Sequence, residues 1–264
     1  MRATWSYLDS PGPVALAHRG AHTDQIAENS MAAFERAATL GYRYIETDVH
    51  ATADGVLVAF HDTTLDRVTD RRGPIAQLTW AEVSRARLTD SSTIPLAEDV
   101  LGTWPDMRVN IDAKSDAAVG PLLDVLHRTR AHPRVCVGSF SDRRIRALRR
   151  ALPPGTATAL APREVLALRL GLPHGSAWLP DDVPCVQVPE RQGWLTIVDA
   201  RFVERAHAQG RVVHVWTINE EDDMQRLLDL GVDGIVTDEA ELLAQVLAAR
   251  ATPAAGTGEQ GPDA

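Results

Sequence analysis

Short apolar runs alternate with amphipathic segments along most of the chain. Eight runs of four to seven residues have the length of buried strands: 14–18, 44–50, 108–113, 135–139, 156–160, 185–188, 211–216 and 234–237. Helical spacing of apolar residues is found between most of them, near 30–40, 117–130, 142–151, 162–170, 198–208, 220–230 and 239–249. Eight strands mostly separated by helices predict an α/β fold, a (β/α)₈ TIM barrel.

The alternation of strands and helices becomes less regular after the second predicted strand. Asp54-Gly55 is a turn signal and predicts a hairpin into residues 56–60. Residues 61–105 are mostly polar, with two short helical pieces near 80–86 and 96–101. We therefore predict one barrel domain over residues 1–250 with a small insertion after strand 2, at about residues 51–105. Residues 251–264, rich in Ala, Gly and Pro, are predicted to be a disordered tail.

Composition narrows the class of protein. The 264 residues carry a formal net charge of −9 and a pI of about 5.4, which argues against a nucleic-acid partner because binding to phosphates needs excess Lys and Arg. Cys136 and Cys185 lie in separate apolar runs and are expected to be buried core residues, not a disulfide framework. Residues 1–13 have no continuous apolar stretch and no later run reaches the length of a membrane span. The expected location is cytoplasmic.

The second strand carries two acidic residues, Glu46 and Asp48, that point to the same face because side chains of a strand alternate. On an edge strand both would face solvent. In a central strand they would repel each other unless a cation lay between them. Asp112 and Lys114 share a face at the end of the third strand in the same way. In a TIM barrel these ends meet at one mouth, so Glu46, Asp48 and Asp112 are the predicted ligands of a divalent metal, Mg²⁺ or Ca²⁺.

Other polar residues end strands or begin loops at the same mouth. His18 and His61 are the candidate general acid and base, because an imidazole titrates near neutral pH. Arg19 and Lys114 are the candidate phosphate ligands. Trp216 ends the seventh strand and either contacts substrate or packs in the core. His50 and His214 are expected to lie at most behind the site, on the faces of Asp48 and Trp216.

An ordered set of motifs along the chain resembles the glycerophosphodiester phosphodiesterase family, in its cytoplasmic bacterial type, from about residue 14 to 247. The motifs are Ala17-His18-Arg19-Gly20, Glu28-Asn29-Ser30, Glu46-Thr47-Asp48, Phe60-His61-Asp62, Ile94-Pro95-Leu96, Asn110-Ile111-Asp112-Ala113-Lys114, Trp216-Thr217-Ile218-Asn219 and Gly231-Val232-Asp233-Gly234-Ile235-Val236-Thr237-Asp238. The resemblance implies hydrolysis of a small-molecule glycerophosphodiester to sn-glycerol 3-phosphate and an alcohol. It also places Glu28 and Asn29 near the site, and the family typically has Glu at the position of Asp112.

Two other functions remain open from the sequence. One is a phospholipase D-like enzyme acting on lipid phosphodiesters, which should carry an exposed apolar surface near the mouth; the polar insertion argues against it. The other is a barrel that binds a phosphorylated ligand without turnover. A binder has no need of two histidines beside three carboxylates, so the full set favours an enzyme.

Overall fold

The computed structural model describes residues 5–172 and 178–251, and almost all of the predicted tail lies outside these ranges. The strands are β1 Val14–Ala17, β2 Tyr44–Ala51, β3 Leu57–Ala59, β4 Arg108–Ala113, β5 Val135–Gly138, β6 Ala157–Thr158, β7 Cys185–Pro189, β8 Arg191–Gln192, β9 Leu195–Thr196, β10 Val212–Trp216 and β11 Gly234–Thr237. The helices are α1 Met31–Thr39, α2 Trp80–Val83, α3 Ala97–Thr103, α4 Val119–Thr129, α5 Asp142–Ala151, α6 Pro162–Arg169, α7 Ala200–Ala208, α8 Glu221–Asp229 and α9 Ala240–Ala251.

Within the described residues, eight parallel strands form the barrel in the order β6-β5-β4-β2-β1-β11-β10-β7. The ring closes between β6 and β7 through a parallel bridge from Ala159 to Cys185 and a hydrogen bond from Leu160 N–H to the Cys185 carbonyl (2.8 Å). The TIM-barrel prediction is confirmed. The fifth predicted strand becomes β6, which has two residues and is the shortest of the eight barrel strands.

Strand β2 is central, with β1 on one side and β4 on the other. All eight of its residues are buried, because one face lines the barrel interior and the other packs under the helices. Ile45 and Val49 belong to the core shared with α1 and α4, while Glu46 and Asp48 lie on the interior face. The solvent-facing edge strand considered from the sequence is therefore excluded.

The predicted hairpin after β2 is present, as β3 pairs with β2 in antiparallel register. The rest of the insertion between β2 and β4 contains α2 and α3 and has its own apolar cluster, which includes Phe60, Leu65, Ile75 and Ile94. Because this cluster is packed, the insertion can hold the loop that follows β3 and carries His61 at the mouth of the barrel.

A second hairpin, which the sequence pattern did not predict, is formed by β8 and β9 directly after β7. Its strands have two residues each, too few for any periodicity, and Gly193 in its turn has a φ of +59°. At the opposite end of the barrel Tyr7 is buried and packs edge-on against Tyr44, with ring centroids 5.3 Å apart. Cys136 and Cys185 are both free and buried, as predicted. No helix in the described part of the chain is long and apolar enough to cross a membrane.

Gly234 gives a test of how tightly the barrel is packed. A Cβ added at this position in β11 would lie 2.7 Å from Val14 Cγ2 and 2.8 Å from His214 Cδ2. We expect Gly234→Ala to lower the free energy of unfolding by about 1 to 3 kcal/mol, because the two neighbouring strands must move apart. Thermal and urea unfolding followed by circular dichroism measure the loss.

Gly102→Ala is the matched control, since no atom lies within 4 Å of the added Cβ and the position is in the exposed part of α3. Gly102→Ala should leave the free energy of unfolding unchanged or raise it by up to about 1 kcal/mol, because Ala has a higher helix propensity than Gly. Equal melting temperatures for the two variants would contradict the packing at Gly234.

Candidate active site

His18 follows β1 and is held by a carboxylate from the other end of the chain. Its Nδ1 lies 2.6 Å from Asp238 Oδ1, just after β11, and an ionised carboxylate only accepts, so Nδ1 carries the proton. His22 Nε2 also lies 3.1 Å from Asp238 Oδ1, and Asn219 Nδ2 donates to Asp238 Oδ2 (2.9 Å). Burial alone would raise the pKa of Asp238, but hydrogen bonds from His18, His22 and Asn219 outweigh it and lower that pKa. Asp238 therefore stays ionised and leaves Nε2 of His18 facing Glu46, 3.9 Å away.

His61 is held in a similar way by its neighbour in the chain. Its Nδ1 lies 2.6 Å from Asp62 Oδ1, and Arg67 Nε donates to Asp62 Oδ2 (2.6 Å). The Arg67 hydrogen bond lowers the pKa of Asp62 to about 2. Arg67 also binds Glu28, and His50 Nε2 lies 3.1 Å from the His61 carbonyl oxygen, where it can donate. Both candidate acid–base imidazoles thus present Nδ1 to a carboxylate, which orients the ring.

The acidic residues of β2 and β4 share a lysine. Lys114 Nζ lies 2.8 Å from Asp48 Oδ1 and 2.8 Å from Asp112 Oδ2, since Asp48 and Asp112 are register partners on neighbouring strands. Burial alone would lower the pKa of Lys114, but the two aspartates outweigh it and raise that pKa. Burial raises the pKa of Glu46 well above its usual range, and repulsion from Asp48 and Asp112 adds to the rise. The site therefore holds three buried carboxyl groups, and its two cations, Lys114 and Arg19, do not fully offset the cost of ionising all three.

Arg19 and Asn29 support Asp48 from the loop after β1. Both have a φ of +54°, a left-handed backbone conformation that is strained for residues other than glycine. Arg19 Nε lies 3.3 Å from Asp48 Oδ2, and Asn29 Nδ2 donates to the same oxygen (3.2 Å). The pKa of Asp48 is lowered because Lys114 and Arg19 outweigh the opposing effect of burial. Asn29 also accepts from Thr47 Oγ1 (2.7 Å), which fixes its amide.

The chemistry of these donors suits a hard divalent cation. Glu46, Asp48 and Asp112 offer carboxylate oxygens, and Asp112 Oδ1 and Asn110 Oδ1 are buried without a hydrogen-bond partner in the described part of the chain. A bound cation would satisfy such oxygens and offset the repulsion that raises the pKa of Glu46. In the present side-chain arrangement, however, Lys114 Nζ lies between Asp48 and Asp112.

A second group of potential ligands lies beside the first. His18, His22 and Asp238 each offer one donor atom, and these three atoms lie within 4.8 Å of one another. Two imidazoles and one carboxylate suit a softer cation such as Zn²⁺ better than Mg²⁺ or Ca²⁺. The same contacts are also those of an imidazole pair hydrogen-bonded to one carboxylate, so the spacing alone does not require a metal.

All eight residues predicted from the sequence line one cavity of about 400 Å³ at the carboxyl ends of the strands. They are His18, Arg19, Glu46, Asp48, His61, Asp112, Lys114 and Trp216. Trp216 packs edge-on against Phe140, with ring centroids 5.5 Å apart, and both rings line the cavity. At this position the Trp216 ring packs against Phe140 and also faces the cavity, so packing and substrate contact are compatible.

Several residues around the site were undervalued from the sequence. The sequence gives Asp238 and His22 no evident role at the site, yet both lie in the hydrogen-bond network of His18. Their contacts join residues more than 200 positions apart, so no local signal could reveal them. His214 is fully buried, which lowers its pKa to about 4, and its Nδ1 lies 3.4 Å from Gln187 Nε2.

Comparison with known proteins gives the family of this chain. The model of the glycerophosphoryl diester phosphodiesterase family matches residues 18–242. A Mycobacterium tuberculosis protein named "Probable glycerophosphodiester phosphodiesterase 2" is 45% identical over 251 residues, which cover 94% of this chain and 95% of the relative.

Two solved structures share the fold at lower identity. A glycerophosphodiester phosphodiesterase from Parabacteroides distasonis superposes with a TM-score of 0.75 at 24% identity, over 90% of this chain and 98% of the other. A phosphodiesterase from Oleispira antarctica, in complex with the product sn-glycerol-3-phosphate, gives a TM-score of 0.74 at 23% identity over 90% and 97%. These two structures show the shared fold, and the family match together with the M. tuberculosis relative shows that the chain belongs to the glycerophosphoryl diester phosphodiesterase family and is a phosphoric diester hydrolase.

Proposed function

We propose that this enzyme hydrolyses small glycerophosphodiesters to sn-glycerol 3-phosphate and an alcohol, with a divalent metal and two histidines. The observation that carries the proposal is one cavity in which two oriented imidazoles flank a cluster of carboxylates and cations. The product named in the Oleispira antarctica complex and the name of the M. tuberculosis relative support this substrate class.

His18 and His61 supply the proton transfers. Each keeps its Nδ1 on a carboxylate, Asp238 or Asp62, so Nε2 is the atom that exchanges protons with the substrate. One imidazole takes the proton of the attacking oxygen, and the other gives a proton to the oxygen of the departing alcohol. The attacking oxygen comes from water or from the glycerol 2-hydroxyl, and water completes the reaction in both cases.

Arg19 and Lys114 bind the phosphate. The side chains of Arg19 and Lys114 line the cavity beside Asp48, so both can contact the phosphoryl oxygens of a substrate bound there. Positive charge held at this place stabilises the negative charge that develops in the transition state. Trp216 forms an adjoining wall that limits where the substrate can lie.

Glu46, Asp48 and Asp112 would hold the metal, which would be Mg²⁺ or Ca²⁺ because all three donors are carboxylates. When bound, such an ion polarises a phosphoryl oxygen and neutralises charge. Asp112 is one methylene shorter than the Glu that is typical of the family, so its carboxylate relies on its register with Asp48 to reach the same place.

A phosphate-binding barrel without turnover is the less favoured function. Such a protein gains nothing from keeping Nδ1 of two separate imidazoles on ionised carboxylates, whereas an acid–base pair requires that orientation.

The two histidines are tested by substitution. We expect His18→Ala and His61→Ala each to lower kcat for glycerophosphocholine by about 10² to 10⁴-fold, because each removes one proton transfer. Release of glycerol 3-phosphate is the measurement. His127→Ala, at an exposed position near the end of α4, serves as control and should keep the wild-type rate. Near-normal rates in both site variants would rule out the acid–base assignment.

The metal site is tested by calorimetric titration of chelator-treated enzyme with Mg²⁺ and Ca²⁺. Glu46→Gln, Asp48→Asn and Asp112→Asn should each weaken binding by about tenfold or more, since each removes a charged ligand. Activity lost with the chelator should return when the metal is added back.

His22→Ala discriminates the two candidate metal groups in the same titration. It should bind metal as the wild type does if the carboxylates are the ligands. Weakened binding in His22→Ala with wild-type binding in the three carboxylate variants would instead place the metal at His18, His22 and Asp238.

Asp238 is tested as a positioning residue. Asp238→Asn keeps the shape of the side chain but loses the charge that fixes the Nδ1 proton of His18, so kcat should fall by about 10²-fold with little change in KM. Asp229→Asn, an exposed aspartate paired with Arg250, is the matched control. An unchanged kcat in Asp238→Asn would show that His18 is oriented without it.

A further inference from the structure

A second pocket lies beside the active-site cavity, along α5 and the start of α6. Its volume is about 590 Å³, and four exposed arginines line it: Arg143, Arg146, Arg150 and Arg163. The first three are spaced three and four residues apart, so they share one face of α5, and Arg163 lies in the first turn of α6. We call this space the arginine pocket. It concentrates positive charge on a chain whose formal net charge is −9.

Three of these arginines are not neutralised by the protein. Arg146, Arg150 and Arg163 form no ion pair with any residue in the described part of the chain. By contrast, the exposed Arg128 is paired with Glu98 at 2.8 Å. Arg146 and Arg150 are four residues apart in α5, a spacing at which like charges destabilise a helix. A bound anion would remove this repulsion, so the pocket has the charge of an anion-binding site.

The nearby carboxylates do not supply that anion. Asp116 is paired with Arg143 and with Arg144. Asp142 is the one carboxylate among the described lining residues, and its Oδ1 accepts a hydrogen bond from the backbone N–H of Arg163 (3.2 Å). This bond joins the start of α5 to the start of α6. Four guanidinium groups around a single carboxylate leave the arginine pocket with a net positive charge.

One aromatic ring separates the arginine pocket from the candidate phosphate ligands. Phe140 lines both spaces, and Lys114 Nζ lies 5.5 Å from the centroid of its ring. Arg144 donates to the Ala113 carbonyl (2.8 Å) and to Ser139 Oγ (2.9 Å), which ties the start of α5 to the ends of β4 and β5. A substrate whose phosphate is bound by Lys114 can therefore extend past Phe140 into the arginine pocket.

The chemistry of the pocket favours a phosphate group as its occupant. Guanidinium groups match phosphate oxygens with pairs of parallel hydrogen bonds. A phosphate monoester carries a charge of about −1.5 to −2 at pH 7, which the three unpaired arginines can neutralise. A long polyanion such as a nucleic acid fits less well, because the chain as a whole is negative and would repel it beyond the pocket.

We propose that the arginine pocket binds a second phosphate group of the substrate, so that the enzyme prefers glycerophosphodiesters whose alcohol carries a phosphate monoester. This inference rests on the proposed function. The second phosphate belongs to the alcohol, because sn-glycerol 3-phosphate keeps only the phosphate at which cleavage occurs. In the reaction, oxygen from water bonds to phosphorus, the bond from phosphorus to the alcohol oxygen breaks, and that oxygen takes a proton. The alcohol leaves with its own phosphate intact.

The test compares substrates with and without the second phosphate. Glycerophosphoethylene glycol and glycerophosphobutanediol are each prepared with a free terminal hydroxyl and with that hydroxyl phosphorylated, and release of sn-glycerol 3-phosphate is measured at fixed free metal. An exposed ion pair contributes up to about fivefold in affinity. We therefore expect kcat/KM for the phosphorylated diester to exceed its partner by about tenfold or more for at least one linker. The ratio should fall toward one in about 0.5 M salt, because exposed charges are screened.

Arginine variants with the same change in charge locate the effect. Arg146→Gln and Arg163→Gln should each reduce the kcat/KM ratio of the preferred linker by about threefold or more. Arg250→Gln is the matched control, since Arg250 lies in α9 after β11, which is directly opposite β5 in the ring of eight strands. It should keep the wild-type ratio. A ratio is independent of the fraction of folded enzyme, so a loss of stability does not affect it.

The outcomes separate this inference from the proposed function. Turnover of the diesters with a free hydroxyl and ratios near one for both linkers would overturn the second phosphate site and leave the proposed function standing. A preference that Arg250→Gln reduces as much as the two pocket variants, or that the pocket variants leave unchanged, would overturn the assignment to the arginine pocket. Absence of turnover on all four diesters would overturn the proposed function and this inference with it.

Discussion

Two acidic residues in the central strand β2 impose the main constraint on this structure. Glu46 and Asp48 are 6% and 2% exposed, and burying ionised carboxylates is costly unless they are paired. The strands on either side of β2 supply the compensation, since Arg19 follows β1 and Lys114 follows β4. Arg19 and Asn29 adopt a strained backbone conformation at this place, and both side chains lie against Asp48. This backbone strain is a local free-energy cost of holding the acidic cluster, and the surrounding structure must offset it.

The two histidines reach the same orientation by different routes. His18 depends on Asp238, which follows the last barrel strand, so its orientation exists only once β1 and β11 have paired. His61 depends on Asp62, the next residue, and on Arg67, which ties the insertion to Glu28 in the loop after β1. Closure of the barrel and packing of the insertion are therefore both needed to bring the two imidazoles to one cavity.

Charge and apolar surface are divided around the mouth of the barrel. The charged side of the cavity, with Glu46, Asp48 and Asp112, comes from neighbouring strands early in the chain, and the aliphatic side, with Val165 and Leu166, comes from α6 and the segments around β7 to β9 later in it. Because catalytic groups of a TIM barrel lie at strand ends while the segments that follow the strands vary, the charged side can keep the phosphodiester chemistry as the aliphatic side adapts to the alcohol of the substrate.

The sequence by itself determined the barrel and the polar groups at its mouth. Strand and helix periods are local, and the period of two in β2 and β4 is enough to place Glu46 beside Asp48 and Asp112 beside Lys114 on shared faces. Tertiary structure alone decided the rest, because it depends on pairing between distant segments. It brought Asp238 to His18, placed Lys114 between Asp48 and Asp112, and formed a short hairpin after β7 that no periodicity could predict. It also gathered scattered leucines into one apolar wall, which is a property of the closed barrel and not of any stretch of sequence.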